Sequence, residues 1–141
     1  MRELTWQDIE DLIDVVGDAI IEDAFIPSLI VAVPRGGFIP ARLLADKLEV
    51  KNLMSMPEGL QAESRPCSKD VPCPKILVVD EIADSGKTLQ AINHLRPWWR
   101  IATLHTRIYS NFQPHYTAVI ISSKAWIKYP WERYEEAPKK R

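Results

Sequence analysis

Apolar residues near the start of the chain recur at the spacing of a helix. The set consists of Ile9, Leu12, Ile13, Val16 and Ile20. The positions between them are mostly acidic, which is typical of an amphipathic helix with a solvated face. Thr5 and Asp8 have the spacing of a capping box, and Pro27 cannot continue a helix. The pattern therefore predicts a helix over about residues 6–22, with its acids facing water.

Short apolar runs further along predict strands that alternate with helices. The runs are 29–33, 53–56, 76–79, 101–106 and 118–122. Pro40 suits the first turn of a second helix whose Ala41, Leu44, Ala45 and Leu48 face inward, and a third helix is expected near 87–95. Strand–helix alternation predicts an α/β fold, in which a twisted, mostly parallel sheet carries helices on both faces.

Length and composition fit one folded domain spanning residues 1–141. The chain has 141 residues, of which 46% are hydrophobic and 26% are charged. No apolar run approaches the roughly 18 residues that a membrane-spanning helix needs, and residues 1–6 lack the apolar core of a signal peptide. Two cysteines are too few for a disulfide framework, so we expect a cytoplasmic protein.

The charge is uneven although the net charge is only −1. Residues 1–23 carry eight acids against one base, whereas residues 85–131 contain no acid and six bases. The second region suits an anionic ligand, with a basic solvated face as the alternative. No global positive field favours nucleic acid, so no nucleic-acid partner is expected.

The segment 76–89 carries the strongest chemical signal. Four apolar residues lead to Asp80 and Glu81, at the sheet edge where parallel strands present ligands. We expect these adjacent side chains to diverge, one reaching Mg²⁺ or hydroxyls, because Mg²⁺ prefers carboxylate oxygens. The small residues of 84–88 then lead into a helix, whose N-terminal N–H groups can bind a phosphate. A nucleotide P-loop is disfavoured, because the required glycine five residues before Gly86 is absent.

This segment resembles the signature of the type I phosphoribosyltransferases, which bind 5-phosphoribosyl-1-pyrophosphate. The resemblance implies that Asp80 and Glu81 contact the ribose hydroxyls, directly or through Mg²⁺. It also implies that Asp84 faces the imidazole ring of a purine and serves catalysis with the two acids. The 5′-phosphate would lie on the turn formed by Ala83, Asp84, Ser85, Gly86, Lys87 and Thr88.

Two further segments resemble the bacterial xanthine-guanine phosphoribosyltransferases. Arg35-Gly36-Gly37 follows the first core strand, as does the pyrophosphate loop of that family. Any non-proline cis peptide in that loop is expected at Pro34–Arg35. Trp126-Ile127 precedes Pro130-Trp131 in the way that the purine-binding segment of the family does. The resemblance implies that Trp126 stacks on the base, that the backbone at Ile127 faces its Watson–Crick edge, and that Trp131 packs internally.

One position departs from the family pattern. Arg107 lies nineteen residues before Trp126, where the family has a lysine that donates to the 6-oxo group of the purine. Arginine has donors and no acceptor, so a preference for an oxo group is kept, while the choice among guanine, xanthine and hypoxanthine stays open. The alternative is an ordinary surface arginine.

The resemblance predicts a Mg²⁺-dependent purine salvage enzyme with a small C-terminal hood over the base. Its partners would be phosphoribosyl pyrophosphate and a purine base, and the enzyme is expected to form a homodimer or homotetramer. A non-catalytic sensor of the nucleotide or diphosphate is the alternative. The long loop 57–75 is expected to close over the substrate, with Arg65 as its basic contact. Cys67 and Cys73 are expected to be free thiols, with a disulfide as the alternative.

Overall fold

A five-stranded parallel sheet forms the centre of the computed structural model, which describes residues 2–56 and 74–135. The helices are α1 (Trp6–Glu22), α2 (Phe38–Lys47) and α3 (Lys87–Leu95). The strands are β1 (Arg2–Glu3), β2 (Leu29–Ala32), β3 (Leu53–Ser55), β4 (Ile76–Ala83), β5 (Arg100–Arg107), β6 (Tyr116–Ile121) and β7 (Ile127–Lys128). The sheet order is β3-β2-β4-β5-β6 with every pair parallel, which confirms the predicted α/β fold.

Both faces of the sheet are covered by helices, as the alternating pattern predicts. The apolar residues of α1 and α2 pack with Ala32, Val79 and Leu104 on one face. Leu89 and Ile92 of α3 belong to a second core on the other face. The predicted capping box is present, because Thr5 Oγ1 accepts from the backbone N–H of Asp8 at 3.1 Å and Asp8 Oδ2 accepts in return from that of Thr5 at 2.8 Å. Within the described ranges, no helix is long and apolar enough to cross a membrane.

Strand β4 is longer than its sequence pattern indicated. The apolar run predicts an end at Val79, but β4 continues to Ala83. Pairing with β2 does stop at Val79, where the N–H of Val33 donates to the carbonyl of Val79 at 2.9 Å. Pairing with β5 continues to the end of β4. Residues 80–83 therefore pair with β5 on one side only. Their other edge lies open toward the loop after β2.

A small two-stranded parallel sheet, absent from the sequence prediction, joins the two ends of the described chain. Strands β1 and β7 pair with Arg2 opposite Ile127. The N–H of Arg2 donates to the carbonyl of Trp126, and that of Leu4 to the carbonyl of Lys128, both at 2.9 Å. Strand β1 therefore holds β7 (Ile127–Lys128), which belongs to the segment predicted to form a hood over the base. Arg65, Cys67 and Cys73 lie outside the described residues.

A buried histidine beneath the hood is expected to make stability depend on pH. Nδ1 of His105 lies 2.8 Å from Oη of Tyr129, which donates to the carbonyl of Glu81 at 3.2 Å. Tyr129 has one proton to give, so His105 donates through Nδ1. Burial lowers the pKa of His105 to about 4, and the charges of Arg2 and Arg107 act in the same direction.

We predict that acidification from pH 6.5 to 4 destabilises the fold through His105. The unfolded histidine takes up a proton near pH 6.5, whereas the folded one stays neutral until about pH 4. The resulting loss of unfolding free energy reaches about 3 kcal/mol at pH 4. Urea unfolding at pH 7, 6 and 5 should show a shallower pH dependence for His105→Asn than for the wild type. The exposed His94, changed to Asn, is the control, and an unchanged slope in His105→Asn would contradict the assignment.

Candidate active site

The carboxyl end of β4 opens into a cavity of about 310 Å³ between the sheet and the β7 segment. It is lined by Asp80, Glu81, Ile82, Ala83, Asp84, Ser85, Gly86, Lys87, Thr88, Leu89, Arg107, Trp126, Ile127, Tyr129 and Glu132. The two acids, the turn and the base-recognition residues predicted from the sequence therefore share one cavity. The predicted loop residues Arg35 and Gly36 line a neighbouring cavity instead.

The turn before α3 leads directly into a helix start that has no capping side chain at its N-cap. Gly86 has a φ of 81° and provides no capping side chain for the first turn of α3. A Cβ at this position would lie 2.7 Å from the backbone nitrogen of Phe112 and 3.0 Å from that of Asn111. The N–H of Asn111 also donates to the carbonyl of Ser85 at 2.8 Å. Asn111 and Phe112 therefore pack against the turn and support it. Uncapped N–H groups at a helix start favour an anion.

Asp80 and Glu81 converge, contrary to the divergence expected for strand neighbours. The backbone N–H of Glu81 donates to Oδ1 of Asp80 at 2.8 Å, so the Asp80 side chain lies along the chain. Burial raises the pKa of Asp80 to about 10, helped by a hydrogen bond to Glu81 and by the charge of that residue. Burial therefore favours the protonated form of Asp80 unless a cation compensates its charge.

The Glu81 carboxylate fits a divalent cation. Its Oε2 is buried and has no hydrogen-bond partner among the described residues. A buried carboxylate oxygen without a partner is costly, and carboxylate oxygens are preferred Mg²⁺ ligands.

The loop after β2 lies directly against Glu81. A Cβ on Gly36 would overlap the Glu81 carboxylate, so the close approach requires glycine. The Pro34–Arg35 peptide is cis, at the position expected. The Arg35 side chain is 86% exposed, and its Nη2 lies 3.5 Å from Oε1 of Glu135. A second cavity of about 370 Å³ lies between this loop and the tail, and it shares Glu81 and Glu132 with the first.

Gly36→Ala is expected to displace the Glu81 carboxylate while leaving the fold intact, because the obstructed group is the far end of a flexible side chain. We predict a loss of Mg²⁺ affinity of about tenfold or more, since ligand placement sets the metal site. Calorimetric titration with Mg²⁺ in the presence of diphosphate measures this, and thermal unfolding checks the fold. Gly17→Ala in α1, where the new Cβ would lie closest to the flexible side chain of Lys47, is the control. Unchanged Mg²⁺ affinity in Gly36→Ala would contradict the assignment.

Arg107 is buried, unlike the surface arginine of the alternative interpretation. Its side chain is 4% exposed at the end of β5. Nη1 donates to the carbonyl of Ser123 and Nη2 to that of Ala125, each at 2.7 Å. Nε lies 3.5 Å from Oδ1 of Asp84 and is buried without a hydrogen bond. The guanidinium therefore connects the turn at the end of β4 to the backbone just before Trp126.

The hood side of the cavity is formed by Trp126 and Ile127. Trp126 is half-buried, and its Nε1 has no hydrogen-bond partner among the described residues. Trp131 stacks on Tyr129 with ring centroids 4.9 Å apart and an angle of 14° between the planes. It also contacts Trp6, so Trp131 packs internally as predicted.

Comparison with known proteins identifies the family. Over 118 residues, the chain is 30% identical to the xanthine-guanine phosphoribosyltransferase of Roseobacter denitrificans, covering 73% of this chain and 67% of the relative. The chain belongs to the xanthine-guanine phosphoribosyltransferase family. A further relative of the same name, from Ruegeria sp., is 28% identical with the same coverage. No family model matches the chain.

Solved structures agree with the fold of this phosphoribosyltransferase. The purine phosphoribosyltransferase of Pyrococcus horikoshii aligns with a TM-score of 0.73 and 25% identity, covering 97% of each chain. A xanthine-guanine-hypoxanthine phosphoribosyltransferase of Helicobacter pylori, at 22% identity, also aligns with a TM-score of 0.73 over 94% of this chain and 93% of its own. The predicted type I phosphoribosyltransferase fold is therefore confirmed.

Three residues of this phosphoribosyltransferase site escaped the sequence analysis. Tyr129 and Glu132 line the main cavity, and Tyr109 donates to Asp84. Tyr129 and Glu132 lie inside the aromatic segment that carries Trp126. In that segment, the family resemblance pointed only to the Trp-Ile and Pro-Trp pairs. Tyr109 follows Arg107 by two positions, and nothing local in the sequence indicates its partner.

Proposed function

We propose that this phosphoribosyltransferase transfers the phosphoribosyl group of 5-phosphoribosyl-1-pyrophosphate to a ring nitrogen of a 6-oxopurine and releases pyrophosphate. The observation that carries the proposal is the single cavity that joins an uncapped helix start, a carboxylate pair and a half-buried tryptophan. These three features match the phosphate, the ribose and the base of one nucleotide. The cavity volume of about 310 Å³ lies at the lower end of the range typical of ligand sites.

The base end of the cavity favours an oxo group. Arg107 has five N–H donors and no acceptor, and two of its N–H groups are used by backbone carbonyls. Of the remaining donors, the one on Nε lies 3.5 Å from Oδ1 of the Asp84 carboxylate, which is an acceptor. A 6-oxopurine presents an oxygen acceptor next to the N–H of its imidazole ring. Its acceptor therefore matches the donor of Arg107, and its N–H matches the Asp84 carboxylate. A 6-aminopurine would place a donor against Arg107.

The remaining roles follow from position and charge. We propose that the turn 84–88 binds the 5′-phosphate, and that Asp80 and Glu81 hold the ribose hydroxyls and Mg²⁺. The ion, when bound, supplies positive charge beside the departing diphosphate. Arg35 is exposed and, among the described residues, is paired only with Glu135, so it is available to the same diphosphate. Asp84 accepts the ring proton of the base as the glycosidic bond forms.

The test is a direct assay of the purified protein with Mg²⁺ and phosphoribosyl pyrophosphate. Guanine, xanthine, hypoxanthine and adenine are supplied separately, and pyrophosphate release is followed with nucleotide absorbance. We expect turnover with at least one 6-oxopurine and at least about a hundredfold lower kcat/KM with adenine, because a mismatched buried donor is costly. Tight nucleotide binding without any product would instead support the non-catalytic sensor.

A further inference from the structure

We infer that Tyr109 is a positioning residue for the reaction, acting through the Asp84 carboxylate. The inference rests on the proposed function, in which Asp84 meets the imidazole edge of the base. Tyr109 lies two positions beyond the end of β5, and its Oη donates to Oδ1 of Asp84 at 3.1 Å. A tyrosine hydroxyl can therefore fix a side chain that the proposed chemistry requires to be oriented.

The contacts of Asp84 assign different tasks to its two oxygens. Oδ1 accepts from Tyr109 and lies 3.5 Å from Nε of Arg107. Oδ2 has no protein partner within the described ranges. The Asp84 side chain is 58% exposed, so packing alone does not hold its orientation. The Tyr109 hydroxyl therefore holds Oδ1 away from the ligand and leaves Oδ2 as the oxygen that meets the base.

Tyr109 also connects the two sides of the cavity. The next residues of its loop brace the phosphate turn, since the N–H of Asn111 donates to the carbonyl of Ser85. On the other side, Nζ of Lys124 lies 5.8 Å from the Tyr109 ring centroid, just before Trp126. Desolvation and the hydrogen bond to Asp84 raise the pKa of Tyr109, so the hydroxyl remains a donor at neutral pH. One side chain thus contacts both the turn and the hood.

Tyr109→Phe isolates the hydroxyl, because the exposed ring can stay in place. We expect kcat/KM for the preferred 6-oxopurine to fall about threefold to tenfold, as for a lost charge-assisted hydrogen bond at a partly exposed site. The KM for phosphoribosyl pyrophosphate and the thermal midpoint should not change. Tyr134→Phe, at a tyrosine that is 90% exposed, is the matched control and should behave as the wild type.

A double-mutant cycle distinguishes positioning from a general structural effect. In the Asp84→Ala background, Tyr109→Phe should change turnover and the calorimetric affinity for guanosine monophosphate by less than about 1.5-fold, because the group that it positions is absent. Wild-type kinetics for Tyr109→Phe, or an equal further loss in the Asp84→Ala background, would overturn the inference. A wild-type protein inactive with every purine would overturn the proposed function itself, and this inference with it.

Discussion

Asp84→Asn lowers kcat for the preferred 6-oxopurine by about 10²–10⁴-fold, the usual contribution of a positioned general base. The change keeps the shape of the side chain and the oxygen that accepts from Tyr109, but it removes the ability to take a proton. The proposed 5′-phosphate subsite consists of backbone N–H groups, which the substitution leaves in place. The KM for phosphoribosyl pyrophosphate should therefore change less than about threefold, which steady-state kinetics with both substrates measures.

The control for Asp84→Asn is Asp46→Asn on α2, where the carboxylate forms an exposed pair with Arg42. That variant should retain wild-type kinetics. Equal kinetic constants for Asp84→Asn and the wild type would remove Asp84 from the chemistry. A loss confined to the KM for phosphoribosyl pyrophosphate would instead place Asp84 in diphosphate or phosphate binding.

Arg107→Lys, although it introduces the residue that the family resemblance implies at this position, is expected to weaken this protein. A lysine ammonium is a compact point charge and cannot replace a planar guanidinium that holds two carbonyls at 2.7 Å while facing Asp84. The loss of one charged hydrogen bond from the buried guanidinium costs about 1.5–3 kcal/mol of unfolding free energy. The purine KM should rise at least about fivefold, because the backbone before Trp126 is released.

Urea unfolding and purine kinetics of Arg107→Lys and Arg107→Met test this expectation together. The methionine variant keeps much of the side-chain volume and loses all the donors, so it should be the less stable of the two. Arg42→Lys preserves an exposed pair and should change stability by less than about 0.5 kcal/mol. If Arg107→Lys is as stable as the wild type and binds purines more tightly, the guanidinium is not needed to hold the backbone before Trp126.

The fold was largely predictable because its elements have strong local signals. The helix α1 has a capping box and an apolar periodicity, and it begins and ends at the predicted residues. Strand β4 was predicted too short, because pairing with β5 extends it through polar residues that carry no apolar pattern. The β1–β7 sheet has only two residues in each strand, which is too few for a periodicity.

The site was predictable in its residues and less so in its contacts. The adjacency of Asp80 and Glu81 suggested divergent side chains, because neighbours in a strand alternate. The Asp80 side chain instead lies along the chain, because its Oδ1 accepts from the backbone N–H of Glu81. The hydrogen-bond partners of Arg107 and Tyr109 lie 16 or more residues away and depend on the packing of β5 against the hood. Such contacts follow from the assembled sheet and not from any local motif.

Because β1 pairs with β7, we expect a probe attached to β1 to report whether a ligand occupies the cavity. The exposed Glu3 lies opposite Lys128, two residues beyond Trp126. An environment-sensitive fluorophore attached at Glu3, after its replacement by cysteine, would sit at the margin of the hood without entering the cavity. Purification handles, by contrast, are best kept away from this strand, since their bulk would strain the small sheet that supports the tryptophan.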